Sequence, residues 1–174
     1  MLVTLSGLPA TGKTTLARGL ARKIAAAYVR IDTLEQAFIA SGNGSPDIGP
    51  AGYMAGYAIA RDNLHLGIDV VADAANLLDI TRRAWRAVAH ATGVRHIEVE
   101  LVCSDKALHR ERVEQRVANI SNHALPTWQS VIDRPCDVWD VDHLVIDTAK
   151  TTVDMAIESV IQTLSLPSGH YRAR

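Results

Sequence analysis

The sequence predicts an α/β fold, a five-stranded parallel sheet with helices on both faces. Three observations predict it. Short apolar runs alternate with stripes of helical period from one end to the other. A glycine-rich loop joins the first run to the first stripe, and no linker, repeat or shift in composition divides the chain. Strands separated by helices make a parallel sheet that is covered on both sides.

Leu2 to Ser6 reads as a buried strand, followed at once by the glycine-rich turn. Leu16, Leu20 and Ile24 then recur every four residues beside Ala17 and Ala21, which marks a helix. Tyr28-Val29-Arg30-Ile31 is a second strand ending at Asp32, and Thr33 with Gln36 has the spacing of a capping box for a short helix to about Ala40. Ser41 to Pro50 is loop-like, long for a compact connection, and equally suited to a plain surface loop or to substrate contacts. A helix resumes over Ala51 to Leu66 with Tyr53, Tyr57 and Leu64 on related turns. Val70-Val71-Ala72 is a strand ending at Asp73. Ile80, Ala84, Trp85 and Val88 mark the next helix, closed by Gly93. His96 to Cys103 alternates, with Ile97, Val99, Leu101 and Cys103 on one face. Ser104 or Asp105 starts another helix through an arginine cluster, and Leu144-Val145-Ile146 is the last strand. Thr151 and Asp154 cap a final helix whose apolar side carries Val153, Ile157, Val160, Ile161 and Leu164, and the tail after Pro167 is expected to be loosely held.

Composition narrows the function classes. The 174 residues are 48% hydrophobic and 21% charged, which suits one globular domain over 1–174 and excludes disorder and collagen-like order. Eighteen Lys and Arg stand against 19 Asp and Glu, so a long nucleic acid held by bulk charge is not expected. Cys103 and Cys136 are too few and too far apart for a zinc site or a disulfide framework, and a reduced, cytoplasmic setting is expected. No apolar run approaches the roughly 18 residues of a membrane span, so no membrane is expected as a partner. The first residues read as a strand rather than a signal peptide, so the mature protein is expected to begin there. Oligomeric state leaves no mark.

The chemistry is carried by Gly7-Leu8-Pro9-Ala10-Thr11-Gly12-Lys13-Thr14, a full G-x-x-x-x-G-K-S/T pattern between a strand and a helix. Its glycines let backbone N–H groups turn inward around phosphate oxygens, and the following helix adds its positive end. Lys13 is expected at the β- and γ-phosphates and the Thr14 hydroxyl at Mg²⁺, which makes this a nucleoside-triphosphate site on a P-loop NTPase fold. Gly7, Pro9, Ala10, Thr11, Gly12, Lys13, Thr14 and Thr15 are the expected nucleotide-binding residues. A motor ATPase of the AAA+ type carries a further helical domain for which this length leaves no room, and no Asn-Lys-x-Asp stretch marks a GTPase.

The chain resembles the small P-loop kinases that include adenylylsulfate kinase, gluconate kinase and chloramphenicol phosphotransferase. The likeness rests on the P-loop, on Asp32, on the strand end Val70 to Asn76, and on the segment His109 to Arg116. Asp32 ends a strand where open α/β sheets gather ligands. The resemblance implies that it accepts the proton of the attacking hydroxyl, against the plainer reading as a helix cap. Asp73 looks like the acid on the Mg²⁺ side, acting through water or Thr14, although it suits a turn as well. Asn76 is similarly implied to touch substrate, whereas Arg82 and Arg83 suit a solvated helix start equally. His109, Arg112 and Arg116 share one helical face, and Arg110 is placed to pair with Glu114. The resemblance makes the stretch at about 105–134 a lid whose Arg112 and Arg116 clamp the triphosphate, with a tip from Asn119 to Trp128 anchored by Pro126 and Trp128. His65, His90 and His143 lack metal-ligand spacing.

The expected activity is ATP- and Mg²⁺-dependent transfer of the γ-phosphate to a hydroxyl of a small molecule. Its rivals are a nucleotide or nucleotide-sugar kinase of the zeta-toxin type and a nucleotide-dependent switch that transfers nothing.

Overall fold

A computed structural model describes residues 1–42, 48–117, 120 and 125–165. Five strands, β1 (Leu2–Ser6), β2 (Ala27–Arg30), β3 (Val70–Asp73), β4 (His96–Val102) and β5 (Leu144–Asp147), pair in parallel in the order β2-β3-β1-β4-β5. Among the described residues seven helices connect and follow them: α1 (Lys13–Lys23), α2 (Ile31–Ala40), α3 (Ala51–His65), α4 (Asp79–Thr92), α5 (Lys106–Glu114), α6 (Trp128–Ile132) and α7 (Val153–Ser165). None of the described helices is long and apolar enough to cross a membrane.

Strand alternation sorts the core into two layers. Val3, Leu5, Val71, Ile97, Val99 and Leu101 turn to one face and pack on Leu16 and Leu20 of α1 and on Ile157 and Val160 of α7. Leu2, Val70 and Ala72 turn to the other and pack on Ala60 and Leu64 of α3 and on Trp85 and Val88 of α4. β4 keeps its alternation in polar form, because Glu98 accepts from Arg86 Nε at 2.9 Å and Glu100 meets His143 at 3.0 Å. Trp85 is wholly buried; truncating such a side chain costs about 3–5 kcal/mol.

The register puts Asp73 beside Leu5 and beside Arg30. The carboxyl ends of β2 and β3 therefore lie beside the end of β1, the strand that runs into the P-loop, at the side of the sheet where parallel strands place their ligands.

Several local expectations are corrected. α2 starts at Ile31 with Arg30 at its N-cap, so Thr33 lies inside the helix and forms no capping box with Gln36. β4 ends at Val102, which leaves Cys103 beyond the strand. On α4, Ile80 is 73% exposed and Arg82 takes the buried face at 1%. Its guanidinium donates to the carbonyls of Leu77 at 2.9 Å and Val138 at 2.9 Å and stacks over Trp139. Arg83 is 67% exposed and pairs with Asp79. At α7 it is Thr152 whose hydroxyl accepts from Met155 N–H at 3.3 Å, rather than Thr151. α5 is capped by Asp105 and ends at Glu114, so Arg116 lies past the helix that carries His109 and Arg112. Half of the expected lid tip, part of the Ser41 to Pro50 loop, and the tail after Pro167 lie outside the described residues.

Candidate active site

The P-loop conformation follows from its glycines. Gly7 has φ +134°, and a Cβ there would collide with the Leu101 carbonyl oxygen, so no other residue fits between β1 and β4. Gly7 N–H donates to Ala75 O at 2.9 Å, and the Thr11 hydroxyl donates to Leu8 O at 2.9 Å. Gly12, at φ +96°, is the N-cap of α1 and brings no side-chain cap, which leaves the first-turn N–H groups of the helix for an anion.

Lys13 Nζ donates to Gly7 O and Leu8 O, both at 2.7 Å, and so lies across the loop it serves. Burial pushes its pKa down to about 8, while Asp73 and Asp32 pull it back up and Arg116 and Arg134 lower it further. Near that pH the neutral fraction of Lys13 takes up its proton when phosphate arrives.

A cavity of about 1060 Å³ opens over the loop. Pro9, Ala10, Gly12, Lys13, Thr14 and Thr15 line it, and so do Asp32, Asp73, Arg112 and Arg116. Of the expected nucleotide-binding residues, Gly7 and Thr11 are not walls; they shape the loop from beneath.

Asp32 sits in the first turn of α2 and does not cap it, which removes the plainer reading of that residue. Its Oδ2 accepts from Arg30 Nη2 at 3.1 Å. The Arg30 side chain is 2% exposed and also places Nε 3.8 Å from Asp73 Oδ2. Asp73 Oδ2 accepts from the Tyr28 hydroxyl at 2.8 Å, and its other oxygen has no partner among the described residues. With the Thr14 hydroxyl on the same cavity, this is a donor set of hard oxygens that fits Mg²⁺, which keeps most of its ligands as water and phosphate. No group of three or more His, Cys, Asp or Glu suited to a metal occurs among the described residues, and such a cage is not what Mg²⁺ requires.

Asn76 does not reach the cavity. At φ +47° its Nδ2 donates to Leu5 O at 2.7 Å and its Oδ1 accepts from Trp85 Nε1 at 3.1 Å, so it stitches the β3 turn to the core. Arg112 lines the cavity but donates to Thr148 Oγ1 at 2.9 Å and Thr148 O at 3.1 Å. Arg116 has no hydrogen-bond or ion-pair partner among the described residues. Arg110 pairs with Glu114 as expected.

Three contributors escaped the sequence reading. His109 is buried, with Nε2 2.8 Å from Pro9 O, and so braces the P-loop from α5. Arg134 lines the cavity without a side-chain partner among the described residues, and nothing in the chain flags a lone arginine after α6. Glu35 lines it as well, one helical turn past Asp32, a spacing that could have drawn notice.

Similar proteins share this arrangement as a fold. The APS kinase CysC of Mycobacterium tuberculosis, solved with AMPPNP and APS, is 21% identical with a TM-score of 0.65 over 95% of this chain and 97% of that one. A sugar kinase from a Janibacter species is 16% identical with a TM-score of 0.69 over 99% and 98%. A gluconokinase from Sinorhizobium meliloti is 15% identical with a TM-score of 0.60 over 93% and 94%. At these identities the likeness establishes the fold, that of the P-loop kinases. No curated protein matches the chain in sequence. The family described as AAA domain matches residues 2–135, from β1 through the P-loop, both strand-end acids and α6, and this chain belongs to that family.

Proposed function

We propose that the protein is an ATP- and Mg²⁺-dependent phosphotransferase that moves the γ-phosphate to a hydroxyl of a small molecule. The carrying observation is that the P-loop, Asp32 and Arg116, which has no partner among the described residues, line one cavity. In this reading the P-loop N–H groups and Lys13 hold the β- and γ-phosphates. Thr14 and Asp73 would hold Mg²⁺, which neutralises charge on the transferring group. The acceptor oxygen bonds to the γ-phosphorus as the bond to the ADP oxygen breaks, and the hydroxyl proton passes to Asp32. Arg30 aims that carboxylate from α2's N-cap. Arg116 and Arg134, on the same cavity and without side-chain partners among the described residues, offer cations to the equatorial oxygens. The stretch at about 105–134, with α5 and α6 as its described parts, would serve as the lid. The AMPPNP and APS bound to the APS kinase relative support nucleotide and small-molecule binding on this scaffold.

The test is acceptor-dependent ADP release over a panel of sugars, nucleosides, amino alcohols and adenylylsulfate, repeated on Asp32→Asn. Asn keeps the shape of Asp but takes no proton at neutral pH, so turnover should fall about 10²- to 10⁴-fold while nucleotide affinity stays. Intact binding with intact transfer removes Asp32 as the base. Nucleotide binding with no acceptor-dependent release from the wild type would favour a switch.

A further inference from the structure

Glu35 is a half-buried carboxylate on the cavity wall, with no hydrogen bond or ion pair to any described residue. Burying a carboxylate without a protein partner costs free energy, which a ligand's N–H or O–H donor on the cavity side would offset. Its placement is fixed from two sides. It follows Asp32 by three residues on α2, which puts both on one face of the helix. From α3, Gly52 approaches so closely that a Cβ there would collide with Glu35 Cγ, so the side chain lies against the α3 backbone with few rotamers open to it.

The surroundings say what would satisfy it. Asp32 acts on the carboxyls and hydroxyls around it: burial raises the Glu35 pKa and the Asp32 charge adds to that rise, with Arg134 opposing. The Tyr53 hydroxyl accepts from Asn76 N–H at 3.3 Å, and burial chiefly raises its pKa, with the charges of Glu35 and Asp32 adding to the rise. Arg134 forms no ion pair with Glu35, which leaves that guanidinium for phosphate. The nucleotide phosphates are drawn to Lys13 and the arginines, and they gain nothing from a second acid. What gains is an acceptor that brings N–H or O–H donors.

We propose that Glu35 determines acceptor specificity, taking a hydroxyl or protonated amine that neighbours the reacting hydroxyl and turning away acceptors with an anionic group there. The inference rests on the phosphotransferase reading above. It names the substrate class as polyols or amino alcohols rather than sugar acids or adenylylsulfate.

The experiment compares kcat and KM for matched acceptors, a neutral polyol, the corresponding amino alcohol and the corresponding sugar acid, in the wild type, Glu35→Gln and Glu35→Ala. Thermal unfolding checks that each variant is folded. The wild type should favour the first two acceptors over the acid. Glu35→Ala should raise KM for the favoured acceptor roughly ten-fold or more with kcat changed far less and the KM for ATP held. Glu35→Gln keeps an acceptor oxygen but no charge, so it should resemble Ala for an amine-bearing acceptor and the wild type for a neutral polyol, which tells the two sources apart. An unchanged acceptor KM in Glu35→Ala, or a wild-type preference for the acid, overturns this inference while leaving the phosphotransferase reading in place. No ADP release with any acceptor overturns both.

Discussion

His109 Nε2 donates to the carbonyl oxygen of Pro9 at 2.8 Å, across 100 residues of sequence. Because a carbonyl only accepts, the bond fixes the ring tautomer with its proton on Nε2. The same ring meets the indole of Trp128 edge-on, with centroids 5.2 Å apart. A buried imidazole thus ties the P-loop to α5 and to the start of α6.

His109→Ala should therefore weaken nucleotide binding, although His109 touches no nucleotide in the proposed site. Loss of the bond leaves Pro9 O without its donor, at a cost of about 1–3 kcal/mol. Titration with a fluorescent ATP analogue should show affinity falling about ten-fold. A variant that loses stability but keeps affinity would make His109 a packing residue only.

Arg112 and Arg116 should separate on mutation. Arg112 holds Thr148 by two hydrogen bonds, whereas Arg116 holds nothing among the described residues. Arg112→Ala should cost about 1.5–3 kcal/mol of stability, measured by urea unfolding. Arg116→Ala should leave stability within about 0.5 kcal/mol of the wild type and lower turnover instead. Equal stability losses would contradict the assignment.

Lys13 should take up protons when nucleotide binds. Burial holds its pKa near 8, so above that pH much of it is neutral, and a bound triphosphate favours the charged form. Affinity should then fall as pH rises through about 8. Calorimetry in buffers of different ionisation enthalpy at pH 8.5 should register the uptake, and Lys13→Ala should abolish it. The same substitution should cost roughly 3 kcal/mol or more of transition-state stabilisation with the fold intact.

His96 predicts the acid limit of the fold. Burial lowers its pKa from 6.5 to about 4, Arg86 adding to the effect, and Nε2 bonds the Thr4 hydroxyl at 2.9 Å. The unfolded chain binds this proton more readily than the folded one, so stability is full above pH 6.5 and is lost as pH falls towards 4. The loss from this group reaches up to about 3 kcal/mol. Unfolding at pH 7 and pH 4.5 should show a flatter dependence in His96→Gln; an identical slope would place the acid sensitivity elsewhere.

Sequence alone determined what depends on neighbours along the chain. The period of the apolar residues set all five strands and the longer helices between them but not the five-residue α6, and the P-loop was legible because its glycines, Lys13 and Thr14 must be contiguous to fold round a phosphate. Asp73 was legible because it ends a strand, whereas Asp32, expected to end one as well, lies in the first turn of α2 after β2 has stopped at Arg30. Cap positions were less so: Arg30 rather than Thr33 precedes α2, since the strand runs straight into the helix and leaves no turn for a capping hydroxyl. Tertiary structure decided what depends on partners far away. Arg82 looks like any arginine on a helix until the segment at Asp137 and Val138 lays its carbonyls against it. Arg112 becomes a strut only when β5 brings up Thr148, and Asn76 turns inward only because Leu5 O and Trp85 Nε1 wait there. Glu35 and Arg134 become cavity walls only once α2 and the turn after α6 are brought round the P-loop. A polar side chain carries no record in the sequence of which distant group will satisfy it, and that pairing is what folding supplies.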